Sequence, residues 1–190
     1  IEKLGSSVEV QQVDILDAQL VNESLNACPN LAGIIHCAAV LKDQSLQNYT
    51  QDDFKVVFGP KAMGAFNLHN GTKDKDLDFF CLISSISSVF GLPGQVSYAV
   101  ANGFLDHLVK IRNDLGLPGQ SMNLGVLGDF AGMSKNGAEF MGILAAQGWD
   151  PMSFDQVSDH LERSLLVGGG SRVAANIDWE RFQSFFPHLK

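Results

Sequence analysis

Three polar side chains could act together on a carbonyl or an alcohol, because of their residue types and their spacing in the sequence. Ser85 ends the apolar run CLISS, and Tyr98 follows thirteen positions later in a helix-like pattern. Asn102 stands four residues after Tyr98, and residues four apart share one face of a helix. Open α/β sheets bind their ligands at the carboxyl ends of their strands. A hydroxyl, a phenol and an amide are therefore predicted to converge at such a strand end.

Lys61 could complete this set. A phenol has an ordinary pKa of about 10, and a nearby ammonium lowers it by stabilising the phenolate. Lys61 could lower the Tyr98 pKa while Ser85 hydrogen-bonds a substrate oxygen, so that a carbonyl is protonated as hydride arrives. Taken singly, these residues are more typical of a half-buried helix tyrosine, a solvated lysine, and a strand-end hydroxyl or helix cap than of a catalytic site. The joint spacing is what favours a site.

The elements that would position these side chains alternate along the chain. Turn residues and apolar periodicity predict helices over 17–27, 50–72, 94–115, 138–147 and 153–166. Strands are predicted over 8–13, 31–37, 77–84, 119–125 and 171–179. Gly59-Pro60 should kink the long second helix just before Lys61. This alternation predicts an α/β fold, a Rossmann-like doubly wound parallel sheet with helices on both faces.

The Gly-rich turn that opens a Rossmann-type sheet is not found in this sequence. No G-x-G-x-x-G follows an early strand, and the glycines at 168–170 lie too late in the chain. We therefore expect the N-terminal strands and the Gly-rich loop to be missing, so that 1–190 is the C-terminal part of one domain. This piece alone should bind a dinucleotide poorly and leave one sheet edge uncovered. Residues 126–150, rich in Gly and Met, are a predicted substrate lid.

Composition limits the partners. The 190 residues are 45% apolar, which is enough for one domain with a buried core. A net charge of −8 argues against nucleic acid or an acidic membrane surface as the main partner. No apolar run reaches membrane-spanning length, and the first residues are not typical of a signal peptide. Three cysteines without metal-ligand spacing predict no metal site and a reducing, cytoplasmic location.

The strings LISSISSVFGLPGQVSYAVANGFLDHL and GPKAMGAFNLH carry a resemblance to a known family. They resemble the ketoreductase domain of modular polyketide synthases and animal-type fatty acid synthases, in the short-chain dehydrogenase/reductase superfamily. Ordinary members of that superfamily have a lysine four residues after the tyrosine, where this chain has Asn102, and Lys61 stands where the synthase domains place their lysine. The exchange argues against a free-standing epimerase or alcohol dehydrogenase, as do GLPGQ and VAANIDWERF.

The resemblance implies a reaction and a role for each residue. The reaction is NADPH-dependent reduction of a β-ketoacyl thioester on acyl carrier protein to a β-hydroxyacyl group, beside neighbouring synthase domains. Tyr98 would be the general acid and Ser85 would orient the ketone oxygen. Lys61 would lower the Tyr98 pKa, and Asn102 would hold a proton relay. The resemblance further assigns NADP(H) contacts to the residues Asp14, His36, Cys37, Ala38 and Ala39.

The residues implied for substrate and lid are Leu41, Asp43, Phe90, Pro93 and Met133. The string LKD partly matches the Leu-Asp-Asp of one stereochemical class, whereas a tryptophan at the Phe90 position would indicate the other. The sequence therefore leans towards the first class.

Two departures from the family pattern leave an alternative open. Ala39 replaces the usual glycine, and Leu124 replaces the usual tryptophan. The alternative is a catalytically inactive module that scaffolds the synthase or binds carrier protein. The complete set of serine, tyrosine, lysine and asparagine favours the enzyme.

Overall fold

The structure is a computed structural model that describes residues 5–128 and 137–187. Helices α1–α8 span Ala18–Asn26, Gln51–Phe58, Gly64–Thr72, Ser87–Phe90, Val96–Asp114, Gly137–Ala146, Phe154–Val167 and Trp179–Phe185. Strands β1–β6 span Gly33–His36, Phe79–Ser85, Gln120–Leu124, Trp149–Asp150, Gly170–Ala174 and Asn176–Ile177. A short 3₁₀-helix, Leu46–Asn48, precedes α2, and a π-helical turn, Gly59–Met63, joins α2 to α3.

Four of the strands form one parallel sheet in the order β1-β2-β3-β5. Helical segments connect consecutive strands of this sheet, as parallel pairing requires. The α/β fold with a parallel sheet is therefore confirmed. Strands β4 and β6 pair antiparallel in a separate small sheet. No helix in the described part of the chain is both long and apolar enough to cross a membrane.

The predicted strand at 8–13 is wrong, because these residues adopt no regular secondary structure. A strand needs a neighbour for its backbone hydrogen bonds. Among the described residues, β1 pairs only with β2, so no strand adjoins its other edge. The apolar run 31–37 also differs from the expectation of a strand buried on both faces, since Ile35 is 44% exposed.

The predicted kink in the long second helix is present as the π-helical turn. Thr50 and Asp53 form the expected capping box at the start of α2. Pro60 has no N–H to donate and cannot continue the regular α-helical bonding, and here the turn widens. The wider turn changes the register of α3 against α2. In α3, Ala65 is fully buried, whereas the adjacent Phe66 is 39% exposed.

Three apolar clusters hold the helices in the described part of the chain. The first packs α3 and α5 on the sheet through Ala65, Leu77, Phe80, Leu82, Leu105, Leu108 and Val109. The second joins α6, β4 and α8 through Ile86, Val126, Leu144, Trp149 and Phe182. The third packs α7 on β3 and β5 through Met122, Leu124, Met152 and Ala174. Gly148 allows the second cluster to close, because it has a φ of +89° and a Cβ there would lie 2.6 Å from the Asp178 carbonyl oxygen.

Candidate active site

A cavity of about 600 Å³ lies at the carboxyl ends of β1, β2 and β3, where parallel sheets bind ligands. Strand β2 ends at Ser85, and α5 begins at Val96, so that Tyr98 lies in its first turn. The π-helical turn supplies Lys61 from a third element. Lys61, Ser85 and Tyr98 all line this one cavity.

Lys61 is 2% exposed and held by the backbone. Its Nζ donates to the Ile83 carbonyl oxygen at 2.9 Å and lies over the Tyr98 ring, 5.2 Å from the centroid. His36 Nε2 donates to the Lys61 carbonyl oxygen at 2.8 Å, which fixes the π-helical turn. Burial lowers the pKa of Lys61 to about 8, and electrostatic interactions with Cys37 and Asp106 only partly offset this.

The Tyr98 phenol differs from the expectation that Lys61 would lower its pKa. Burial raises the pKa of Tyr98, and the charge of Asp43 acts in the same direction. Polar contacts from Asn102 and Ser85 oppose this increase without overcoming it. A phenol with a raised pKa keeps its proton at neutral pH.

Asn102 lies fully buried behind Tyr98 rather than in the wall of the cavity. Its Nδ2 donates to the Tyr98 carbonyl oxygen at 2.8 Å and lies 3.4 Å from Ser87 Oγ. Its Oδ1 is buried with no hydrogen-bond partner among the described residues. An unpaired buried acceptor is costly, so this oxygen is a natural binding point for a water molecule or a ligand group.

The Ser85 side chain is oriented by the turn that follows β2. Its Oγ accepts from the Ser87 N–H at 3.2 Å and leaves its own proton available to a group in the cavity. Ser85 is 9% exposed and lines the cavity beside Tyr98. A hydroxyl and a protonated phenol thus face one apolar space, an arrangement that can hydrogen-bond and protonate an oxygen.

The residues predicted to contact the cofactor separate into two groups. Cys37 and Ala39 line the cavity. His36 is buried against the π-helical turn, and neither His36 nor Ala38 lines the cavity. Asp14 is exposed at the turn before α1, where its carboxylate accepts from the Leu16 N–H at 2.9 Å.

The predicted substrate residues also separate. Leu41 and Asp43 line the cavity, and Asp43 accepts a hydrogen bond from Gln95 Nε2 at 2.9 Å. Phe90 packs instead against Trp149, with ring centroids 5.1 Å apart. Pro93 is exposed and outside the cavity lining, and Met133 lies outside the described residues.

Several cavity residues were not predicted from the sequence. Strand pairing places Leu124 of β3 opposite Ser85 of β2, and both line the cavity. Leu124 had been noted only as a departure from a family pattern. The sequence feature that could have identified Leu124 is its position at the end of a predicted strand, because neighbouring parallel strands end at the same edge of the sheet. The wall owes its apolar character to further residues, of which the last four belong to the predicted lid segment 126–150: Ile83, Ile86, Leu92, Val126, Leu127, Met141 and Leu144.

Comparison with known sequences gives one family and many relatives. A model of the KR domain family matches residues 1–129. The highly reducing polyketide synthase GPY1 of Gibberella fujikuroi is 32% identical over 183 residues, which are 96% of this chain and 7% of that protein. Polyketide synthase GfsE of Streptomyces halstedii is 36% identical over 182 residues, or 94% of this chain and 5% of that protein. The chain thus spans less than a tenth of either relative.

Solved structures with the same fold include ketoreductases. A-type ketoreductases from a modular polyketide synthase superpose with a TM-score of 0.88 at 30% identity, covering 97% of this chain and 39% of that chain. A 4-hydroxyisoleucine dehydrogenase mutant complexed with NADH and succinate gives a TM-score of 0.74 at 14% identity, covering 90% of this chain and 80% of that chain. At that identity, the second likeness shows the fold alone.

Proposed function

Because this chain belongs to the KR domain family, and its relatives are polyketide synthases, we propose that it reduces a β-ketoacyl group with NADPH. The substrate would be a thioester on acyl carrier protein, and the product the β-hydroxyacyl thioester. The observation that supports this most directly is the convergence of Lys61, Ser85 and Tyr98 on one apolar cavity. We assign residues 1–190 to part of one ketoreductase domain, which acts beside other synthase domains.

The residues of the cavity suit a nicotinamide cofactor. Cys37 and Ala39 follow β1 and line the cavity beside Lys61, whose cation can bind the hydroxyls of a ribose. Asn102 Oδ1 is a buried acceptor still without a partner among the described residues. When bound, the cofactor supplies the hydride. Asp14, which is not among the residues that line the cavity, would contact the adenine side of the cofactor.

The side chains of this chain would handle the oxygen of the ketone. Ser85 Oγ and the Tyr98 hydroxyl donate to that oxygen and polarise the carbonyl. The apolar wall excludes water, which strengthens both hydrogen bonds. Tyr98, whose phenol is protonated at neutral pH, transfers its proton to the oxygen as negative charge develops there. The Lys61 ammonium stabilises the resulting phenolate, and a water held by Asn102 Oδ1 returns a proton.

The acyl chain would lie against the apolar wall. Met141 and Leu144, three residues apart on α6, line the cavity, and Val126 and Leu127, which follow β3, add to its apolar wall. We propose that 126–150 serves as a lid that closes over the acyl chain. Within it, the described residues already contribute apolar cover, so closure would exclude water from the reacting oxygen.

The test uses the intact protein that contains this chain. NADPH deuterated at the transferable position and a β-ketoacyl thioester surrogate are the substrates, and the product is analysed by mass spectrometry. The proposal predicts a β-hydroxy thioester with one deuterium on the β-carbon. The alternative of a scaffolding module predicts that the ketone is returned unchanged and that NADPH titration gives no binding. That result would overturn the proposed function.

A further inference from the structure

A carboxylate that the proposed mechanism does not use lies behind the cavity wall. Asp106 Oδ2 lies 2.7 Å from Ser88 Oγ and accepts from Asn123 Nδ2 at 2.8 Å. Ser88 Oγ and Asn123 Nδ2 are themselves 2.8 Å apart. The second carboxylate oxygen, Oδ1, is buried and has no hydrogen-bond partner within the described ranges. A carboxylate oxygen that is buried without a hydrogen bond costs stability. The position of Asp106 therefore indicates a functional role.

The same network reaches the backbone of Ser85. Ser88 Oγ lies 2.9 Å from the Ser85 carbonyl oxygen, so its single proton serves either this oxygen or the carboxylate of Asp106. Asn123 Nδ2 lies 3.4 Å from that carbonyl oxygen and 3.1 Å from Ser84 Oγ. The orientation of the Ser85 peptide determines where the Ser85 hydroxyl points. The network therefore links a carboxylate on α5 to the hydroxyl donor at the end of β2.

Asp106 also continues a row on α5. Tyr98, Asn102 and Asp106 recur at intervals of four residues, and they therefore share one face of the helix. Tyr98 lines the cavity, Asn102 is fully buried behind it, and Asp106 is half-buried one turn further along. One helix face thus presents a phenol, an amide and a carboxylate in order towards the sheet.

The carboxylate additionally influences Lys61. Lys61 Nζ lies over the Tyr98 ring, and the His36 ring donates to the Lys61 carbonyl oxygen. Cys37 and Asp106 act on Lys61 electrostatically. Burial lowers the Lys61 pKa, and the charges of Cys37 and Asp106 raise it. A cysteine is mostly neutral near pH 7, so the carboxylate supplies the stabilising negative charge there.

We propose that Asp106 is a positioning residue that fixes the Ser85 hydroxyl through Ser88 and Asn123 and supplies the negative charge that balances Lys61. This inference rests on the proposed function, since it concerns the same reaction. It assigns Asp106 no contact with substrate. It adds a second layer to the site, in which one carboxylate acts on both the hydroxyl donor and the cation beside Tyr98.

The experiment measures ketone reduction by the intact protein from about pH 6 to pH 10 in four variants, using the range in which a lysine of lowered pKa titrates. Asp106→Asn removes the charge and should move the alkaline loss of kcat to a pH about one unit lower, because Lys61 loses its balancing charge. Ser88→Ala keeps the charge but removes the link to Ser85. It should lower kcat about tenfold without moving the alkaline loss. Ser88→Thr, which restores a hydroxyl, should recover most of that rate.

Asp114→Asn is the matched control, since Asp114 lies on the same helix and forms an exposed ion pair with Lys110. It should leave the rate and the pH profile unchanged. If Asp106→Asn turns over like wild type with an unshifted profile, Asp106 is merely structural and the inference is overturned. The inference is also overturned if Asp106→Asn lowers the thermal midpoint but leaves kcat and the pH profile unchanged. If wild type reduces no ketone, the proposed function fails and the inference with it, so the two failures are distinguishable.

Discussion

The Lys61 ammonium lies over the face of the Tyr98 ring, 5.2 Å from its centroid, while donating to the Ile83 carbonyl oxygen at 2.9 Å. A cation in this position is attracted by the ring and, more strongly, by the phenolate that forms when Tyr98 gives up its proton. The π-helical turn makes the arrangement possible, because it brings a lysine of the α2–α3 segment to the start of α5.

The pH dependence of turnover should report Lys61 rather than Tyr98. The pKa of Lys61 is lowered to about 8, so its charge is lost as the pH rises through that value. The Tyr98 pKa is raised, so the phenol stays protonated throughout this range. We expect kcat to decline above about pH 8. The measurement is the pH profile of kcat in Lys61→Arg, because arginine stays charged throughout this range. If kcat of this variant still declines above the same pH, Lys61 is not the origin of the decline.

Lys61→Met should stabilise the fold while reducing activity. The lowered pKa means that folding disfavours the charged lysine, a cost fully present below about pH 8 and relieved as the pH rises towards 10.5. Methionine removes this cost but forfeits the hydrogen bond to Ile83, which leaves a net gain of about 1 kcal/mol at neutral pH. Urea unfolding gives the measurement. Lys55→Met, at an exposed site, should change the free energy of unfolding by less than about 0.5 kcal/mol.

A less stable Lys61→Met variant would show that the buried ammonium contributes net stability. That outcome would contradict the account of Lys61 as a residue kept for its charge at the expense of the fold.

The parallel sheet could be predicted from the sequence, and so could the cavity residues that lie at or just after strand ends. Ser85 and Tyr98 could be placed together because a strand end and the first turn of the next helix are local features. The sequence was insufficient for residues 8–13, whose strand-like pattern lacks a hydrogen-bonding neighbour among the described residues.

The packing of side chains from distant parts of the chain also could not be predicted from the sequence pattern. Phe90 was expected near substrate, yet its ring packs with Trp149 and Phe182, which lie far along the chain. The direction of the Tyr98 pKa depended on how much burial outweighs the polar contacts of the phenol. Spacing identifies which groups meet. It does not give the solvent exposure that decides their proton affinity.

Gly148→Ala should loosen the contact between α6 and α8. Gly148 has a φ of +89°, and a Cβ there would lie 2.6 Å from both the Asp178 carbonyl oxygen and the Phe182 nitrogen. We expect a loss of about 2–3 kcal/mol in the free energy of unfolding, since both strain and a backbone clash are introduced. Gly142→Ala is the matched control on α6, where a Cβ meets open space, and it should stabilise by about 0.5–1 kcal/mol. Equal effects of the two substitutions would contradict the contact.

Acid should destabilise the fold partly through His69. Its pKa is lowered, first by burial and then by the charge of Arg112, whose Nη1 lies 3.1 Å from His69 Nδ1. The unfolded chain binds the proton more readily, so stability should fall as the pH drops below about 6.5. His69→Gln keeps an acceptor for Arg112 and should flatten this decline in the thermal midpoint. His160→Gln, at an exposed position, should retain it. A decline that is unchanged in His69→Gln would exclude His69.

The most direct test of the account is the turnover of Tyr98→Phe in the intact protein, with a β-ketoacyl thioester and NADPH at neutral pH. Removing the proton donor should lower kcat at least about a hundredfold while leaving NADPH affinity within about twofold of wild type. Tyr49→Phe, which alters the only other tyrosine of the chain, should cost far less, because Tyr49 OH bonds to backbone oxygens outside the cavity. A Tyr98→Phe enzyme that reduces the ketone at the wild-type rate would contradict the assignment of Tyr98 as the proton donor.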